Sequence, residues 1–268
     1  MSLILTDLSV PRGGRPLIEG LSMTASAGRM LVLLGANGAG KSTLLGAIAG
    51  TVPARRGEIR FGGLDLRRMG AADLARCRAF MAQAPESPFA FCASDIVALG
   101  RLCHAGTPLV LNDAAAILAG LEAVGMRGFA RRFMTTLSGG ERQRIAFARV
   151  IAQMHDCSRA GTAHLLLLDE PVASLDPQHQ HQVLQTLQAI ARRGATVIVA
   201  LHDLSLASIY GDDVMVLEQG RVLATGPVET TLTPGLVERS FGVRTGIALR
   251  PDGRAILHAI PQSGSEAA

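Results

Sequence analysis

Short unbroken apolar runs alternate with longer amphipathic stretches along most of this 268-residue chain, and that rhythm predicts its elements. Leu31–Leu34, Leu165–Leu168, Thr196–Leu201 and Val214–Leu217 are nearly continuous hydrophobic runs, the pattern of strands buried on both faces of a parallel sheet. Helices are predicted between them, over about Ser42–Ala49, Gln178–Arg192 and Leu204–Tyr210. Gly50 stands at the C′ position of the first, and Asp176-Pro177 supplies an N-cap and an N1 proline for the second. Residues 57–62 and 78–82 read as further strands, and 3–10 and 21–26 as two short strands at an antiparallel edge. Strand–helix alternation of this kind implies right-handed βαβ units around a mostly parallel sheet.

From 91 to 150 the pattern turns helical, with Asp95–Arg101, Asp113–Val124 and Glu141–Gln153 as the candidates. That block is too long for one crossover and predicts an inserted helical lobe. After about 234 the pattern predicts a helix and a small hairpin, Ile247–Leu249 with Ala255–Ala259. The expected fold is therefore α/β, a single domain over 1–268. Residues 1–90 and 151–233 form the core with its antiparallel β edge, 91–150 a helical subdomain, and 234–268 a C-terminal tail.

Composition narrows the function. Hydrophobic residues make up 48% but aromatics only 3%, so the core is built from aliphatic side chains. The net charge of +4 comes without a compact basic block, which argues against nucleic acid as a partner. Cys77, Cys92, Cys103 and Cys157 form no C-x-x-C pair, as expected of reduced thiols in a cytosolic protein. The opening MSLILTDLSV lacks the basic n-region and apolar stretch of a signal peptide. No apolar run approaches the ~18 residues of a membrane span. A mean hydropathy of +0.30 points to a large buried interface. Of the 26 basic residues only Lys41 is lysine, which demands a chemical reason.

Gly35-Ala36-Asn37-Gly38-Ala39-Gly40-Lys41-Ser42 supplies that reason: it matches G-x(4)-G-K-[ST] between a predicted strand and a predicted helix. Glycines let the backbone curl its N–H groups inward onto a phosphate, and the helix N-terminus adds positive potential. Lys41 is a compact point charge for the β- and γ-phosphates, where a forked arginine would not substitute. The Ser42 hydroxyl reaches Mg²⁺. The expected core is thus that of a P-loop NTPase.

Leu165-Leu166-Leu167-Leu168-Asp169-Glu170 is an apolar strand ending in two acids, placing Asp169 beside the metal and Glu170 toward the water that attacks the γ-phosphate. His202, directly after another strand, can hydrogen-bond the γ-phosphate and orient that water. Gln83, after the strand over 78–82, can offer its amide oxygen to Mg²⁺ or water. His179 and His181 sit i, i+2 on a helix, face apart, and read as solvated surface.

Ser138 and Glu141 in Leu137-Ser138-Gly139-Gly140-Glu141-Arg142-Gln143-Arg144 form a capping box. That box alone does not need glycines at N1 and N2, where each costs up to about 1 kcal/mol against alanine. Bare backbone at a helix tip suits a second approach to phosphate. Two distant helix tips for one nucleotide imply a two-fold dimer, each Ser138–Glu141 tip closing on the ATP of its partner.

The ordered set of motifs resembles the ATP-binding subunits of ABC transporters over nearly the whole chain. GANGAGKST from Gly35 to Thr43, Gln83, LSGGERQR (137–144), LLLLDEP (165–171), Ser174-Leu175-Asp176 and His202 look like that family's Walker A, Q-loop, signature, Walker B, D-loop and H-loop. The resemblance implies ATP and Mg²⁺ as cofactors, Glu170 as general base or water-polarising carboxylate, and Gln83 as the coupling residue. It further implies a homodimer on the cytoplasmic face of the inner membrane, docked through 91–150 to a permease dimer and served indirectly by a periplasmic binding protein. Arg12 stands where the family usually places an adenine-stacking aromatic. The hydrophilic insertion 155–164, Ile96–His104 and residues 202–208 look like the haem-importer branch, whose neighbours import iron-siderophores and cobalamin. A soluble family member such as an iron–sulfur assembly scaffold has a similar length, whereas a P-loop kinase leaves Ser138–Glu141 unexplained.

Overall fold

The computed structural model describes residues 1–12, 15–82, 90–155, 164–251 and 253–260. In chain order the strands are β1 (Leu3–Arg12), β2 (Arg15–Ala25), β3 (Met30–Leu34), β4 (Arg56–Phe61), β5 (Leu64–Asp65), β6 (Arg78–Met81), β7 (Leu165–Asp169), β8 (Thr196–Ala200), β9 (Asp213–Glu218), β10 (Arg221–Pro227), β11 (Thr245–Leu249) and β12 (Ala255–Ala259). The α-helices are α1 (Lys41–Ala49), α2 (Ala71–Cys77), α3 (Ala93–Leu99), α4 (Asp113–Ala123), α5 (Gly139–Met154), α6 (Pro177–Arg192), α7 (Leu204–Tyr210), α8 (Val228–Thr231) and α9 (Pro234–Phe241).

One six-stranded sheet runs β10-β9-β3-β8-β7-β6, parallel throughout except for β10. Its central runs Met30–Leu34, Leu165–Leu168 and Val197–Ala200 are apolar at every position because both faces are covered, and alternate residues feed different cores. Val32, Leu166, Leu168, Val197 and Val199 pack with Val97 of α3, Ile145 and Phe147 of α5, and Leu184 and Leu187 of α6. Leu31, Leu33, Leu165, Leu167 and Ile198 face the other way, onto Leu44, Leu45 and Ile48 of α1 and the antiparallel sheet β2-β1-β4-β5. Helix α1 is thereby enclosed between two sheets, and every residue of it except Ser42 is buried. This fixes the direction in which its N-terminus points.

Three expectations need correction. The two short edge strands are one long hairpin, β1 paired with β2 from Leu3↔Ala25 to Arg12↔Arg15. Helix α2 and strand β10 were not anticipated. His179 and His181 are not solvated: each is partly buried with a protein partner, because α6 packs along its length and its flanks meet neighbouring elements. The pair does diverge, His181 sharing a hydrogen bond with the Tyr210 hydroxyl at 2.6 Å.

Candidate active site

Parallel register delivers three loops to one place. Leu33 on β3 and Asp169 on β7 both lie opposite Ala200 on β8. The residues that follow these strands, Gly35 onward, Glu170, and Leu201-His202, therefore leave the sheet together at its carboxyl edge, where open α/β sheets bind ligands.

The phosphate loop is held tightly from behind. A Cβ on Gly35 would sit 2.4 Å from the Leu217 carbonyl oxygen, so only glycine fits. Gly40 takes φ 109°, in the left-handed region, and turns the chain into α1. Ala36, Asn37 and Gly38 form an exposed crest. The buried Lys41 ammonium donates to the carbonyls of Gly35 at 2.7 Å and Ala36 at 3.3 Å. Its pKa is lowered by burial, against the pull of Glu170 and Asp169. A desolvated cation beneath an exposed crest of backbone is matched to a polyanion.

Asp169 is 4% exposed, accepts a hydrogen bond from the Ser42 side chain, and has its Oδ1 buried with no partner. Burial raises its pKa, and a cation against the orphaned oxygen would reverse that shift. Among the described residues no three His, Cys, Asp or Glu side chains gather to hold a metal unaided. Asp169 Oδ1 and the Ser42 hydroxyl fit Mg²⁺, which uses few protein oxygens and completes its shell with water and phosphate.

Glu170 adopts φ 52°, unusual for a residue with a side chain and worth about 1–3 kcal/mol of strain. Its amide donates to Ala200 O at 3.2 Å, and its carboxylate pairs with His202. A carboxylate only accepts, so Nε2 of His202 carries the proton. The His202 side chain is 43% exposed, leaving that ring open to a ligand.

At the start of α5 the capping box is formed: the Glu141 amide donates to Ser138 Oγ at 3.2 Å and the Ser138 amide to Glu141 Oε2 at 2.7 Å. The two glycines behave differently. A Cβ on Gly139 would meet nothing within 4 Å, whereas one on Gly140 would lie 2.9 Å from the Ser174 carbonyl oxygen. Half of the glycine pair is thus explained within the protomer, and Gly139 alone is left bare toward the outside. Among the described residues, no hydrogen bond joins Ser138–Glu141 to the phosphate loop.

Gln83, residues 156–163 of the insertion and the side chain of Arg12 lie outside the described residues. The run Ile96–His104 has a packing role. Arg101, its side chain 1% exposed, pairs with Asp113 at 2.8 Å and donates to the carbonyls of Ala152, Leu109 and His155. The buried His104 donates to Gln153 O at 2.9 Å. Sequence reasoning passed over Gln143, Arg144 and His179 as contributors to the site. Nothing in periodicity could reveal that Gln143 bonds the main chain of Glu170, or that Arg144 bonds His179.

The ABC transporter family model matches residues 18–173. The chain is 40% identical over 257 residues to the hemin import ATP-binding protein HmuV of Bordetella pertussis (strain Tohama I), covering 94% of this chain and 96% of that one. The protein of the same description in Plesiomonas shigelloides is 42% identical over 258 residues, covering 92% and 97%. Among solved structures, a metal-chelate type ABC transporter in an inward-facing conformation superposes with TM-score 0.78 at 26% identity, covering 97% of both chains. A post-hydrolysis ATP-binding cassette dimer with ADP and phosphate superposes with TM-score 0.73 at 22% identity, covering 84% of this chain and 98% of that one, and speaks to the fold alone. A family match across more than half its residues, with identities of 40% and above over nearly its full length, makes this chain a member of the ABC transporter ATP-binding family.

Proposed function

We propose that this chain hydrolyses ATP to drive haem import, as one half of a homodimer seated beneath a permease dimer on the cytoplasmic face of the inner membrane. The observation that carries the reading is the meeting of phosphate loop, Asp169-Glu170 and His202 at one sheet edge, in a chain so similar to hemin import ATP-binding proteins.

Lys41 exchanges the carbonyls of Gly35 and Ala36 for the β- and γ-phosphates, while the N–H groups of residues 36–43 surround the same anion. Ser42, Asp169 and Gln83 would hold Mg²⁺. When bound, Mg²⁺ supplies positive charge to the phosphate oxygens where negative charge builds. Glu170 accepts a hydrogen bond from the attacking water and polarises it. His202 keeps that carboxylate aimed and turns its open ring face toward the γ-phosphate. Ser138, Gly139, Gly140 and Glu141 of the second copy seal the nucleotide from above.

Residues 91–150 form the docking lobe, and Gln83 has the role of coupling it to the nucleotide; exposed Leu99, Leu102 and Leu111 on that lobe support a contact with another chain. No helix among the described residues is long and apolar enough to cross a membrane, so the path for haem lies in the permease, fed by a periplasmic binding protein. A strain lacking this chain is expected to lose growth on hemin as sole iron source and to keep growth on a ferric siderophore. Growth on hemin without the chain, with siderophore use lost, would overturn the haem assignment in favour of other ferric chelates, the cargo class suggested by the metal-chelate transporter.

A further inference from the structure

Helix α5 lays its first two turns along residues 170–179. Gly140 meets the Ser174 carbonyl, Gln143 Nε2 donates to the Glu170 carbonyl at 2.7 Å, and Arg144 Nη1 donates to His179 Nε2 at 2.9 Å. A guanidinium only donates and a carboxylate only accepts, so Nδ1–H of His179 donates on to Asp176, at 2.7 Å. The contact falls on Glu170, whose main chain is strained, at φ 52°. A left-handed conformation in a residue with a Cβ persists only where its surroundings over-determine it. The Glu170 amide is tied to β8 and its carboxylate to His202; within its own turn the carbonyl receives a longer 3.3 Å bond from the Ala173 amide. Gln143 adds a short, partly buried bond to that carbonyl from a different element.

We infer that Gln143 is a positioning residue for hydrolysis: by holding the Glu170 carbonyl to α5 it fixes the peptide that aims the Glu170 carboxylate. The inference rests on the role proposed above for Glu170. It also places the aim of one subunit's carboxylate on the same rigid helix whose capped tip closes on the other subunit's nucleotide. Ångström-scale misplacement of a catalytic group costs up to about a hundredfold in rate, while ATP grip through Lys41 is untouched.

Gln143→Met removes the donor at nearly constant volume and helix propensity; Gln143→Lys restores a donor of similar reach. Full-length variants are compared for kcat and KM of ATP hydrolysis and for melting temperature, alongside Glu170→Gln. The expected result is a roughly ten- to hundredfold fall in kcat for Gln143→Met, with KM within about twofold of the parent, and recovery of most of the loss in Gln143→Lys. Parent-like kcat in Gln143→Met overturns the proposal, and so does a loss shared equally by the lysine variant or one that follows melting temperature. Should Glu170→Gln turn over normally, the fault lies with the role of Glu170; if it is inactive and Gln143→Met is fast, only the positioning role fails.

Discussion

His202, two residues past the end of β8, donates its Nε2–H to the carboxylate of Glu170, directly after β7. The two are 32 residues apart and meet because Asp169 and Ala200 are register partners. The bond joins the residue proposed to polarise water to one with an open ring face, so the pair acts as a unit.

Glu170→Gln keeps size and shape while removing the charge that polarises water. It is expected to bind ATP and form a persistent dimer with hydrolysis reduced by roughly 10²- to 10⁴-fold. His202→Ala is expected to reduce kcat without weakening nucleotide binding, and the double variant to lose little more than the worse single one. Steady-state ATPase rates with size-exclusion chromatography in ATP check this; independent, additive losses would separate the two residues.

The glycine pair at the tip of α5 separates fold from assembly. Gly140→Ala forces a methyl against the Ser174 carbonyl and is expected to destabilise the monomer by about 1–3 kcal/mol. Gly139→Ala meets open space and is expected to leave the monomer as stable or up to about 1 kcal/mol more so, by helix propensity. The same variant should block ATP-driven dimerisation, because its methyl faces the surface proposed to receive the partner's nucleotide. Melting curves and sedimentation with the two variants read the opposite signs.

The capping box carries a pH signature. The hydrogen bond from the Ser138 amide is the first cause holding the Glu141 carboxyl below its usual 4.5. A carboxyl whose pKa falls on folding contributes stability that is complete above the unfolded value and is lost as pH drops through the folded one. Parent protein is therefore expected to melt above Glu141→Gln at neutral pH, with the gap closing on acidification below 4.5. A gap that stayed constant through that window would show the charge to be irrelevant to the cap.

Arg101 is a buried tie among the helices that follow the core's first half. Arg101→Met removes the partner of Asp113 and a donor to three carbonyls, at a cost of about 1–3 kcal/mol. Asp113→Asn leaves those carbonyl bonds in place and is expected to cost less. Urea denaturation midpoints compare them; equal losses would place the stabilisation in the ion pair rather than in the carbonyl contacts.

What the amino-acid order determined by itself is what local chemistry can encode. Strands β3, β7, β8 and β9 announce themselves because burial on both faces demands apolar residues at every position. The phosphate loop and the capping box are written in consecutive residues, since backbone curl and helix capping act over a few peptide units. Strand β10 escaped notice because its residues are half-exposed and its pairing is set by β9. Helix α2 is only seven residues long and leans on a bond from Arg76 to the carbonyl of Cys103. Only the tertiary structure decided which of two adjacent glycines faces outward, that His179 bridges Asp176 to Arg144, and that Gln143 grips Glu170. Those relations join elements brought together by packing, and a side chain's partner across such a gap depends on register and helix placement, which no periodicity along the chain records.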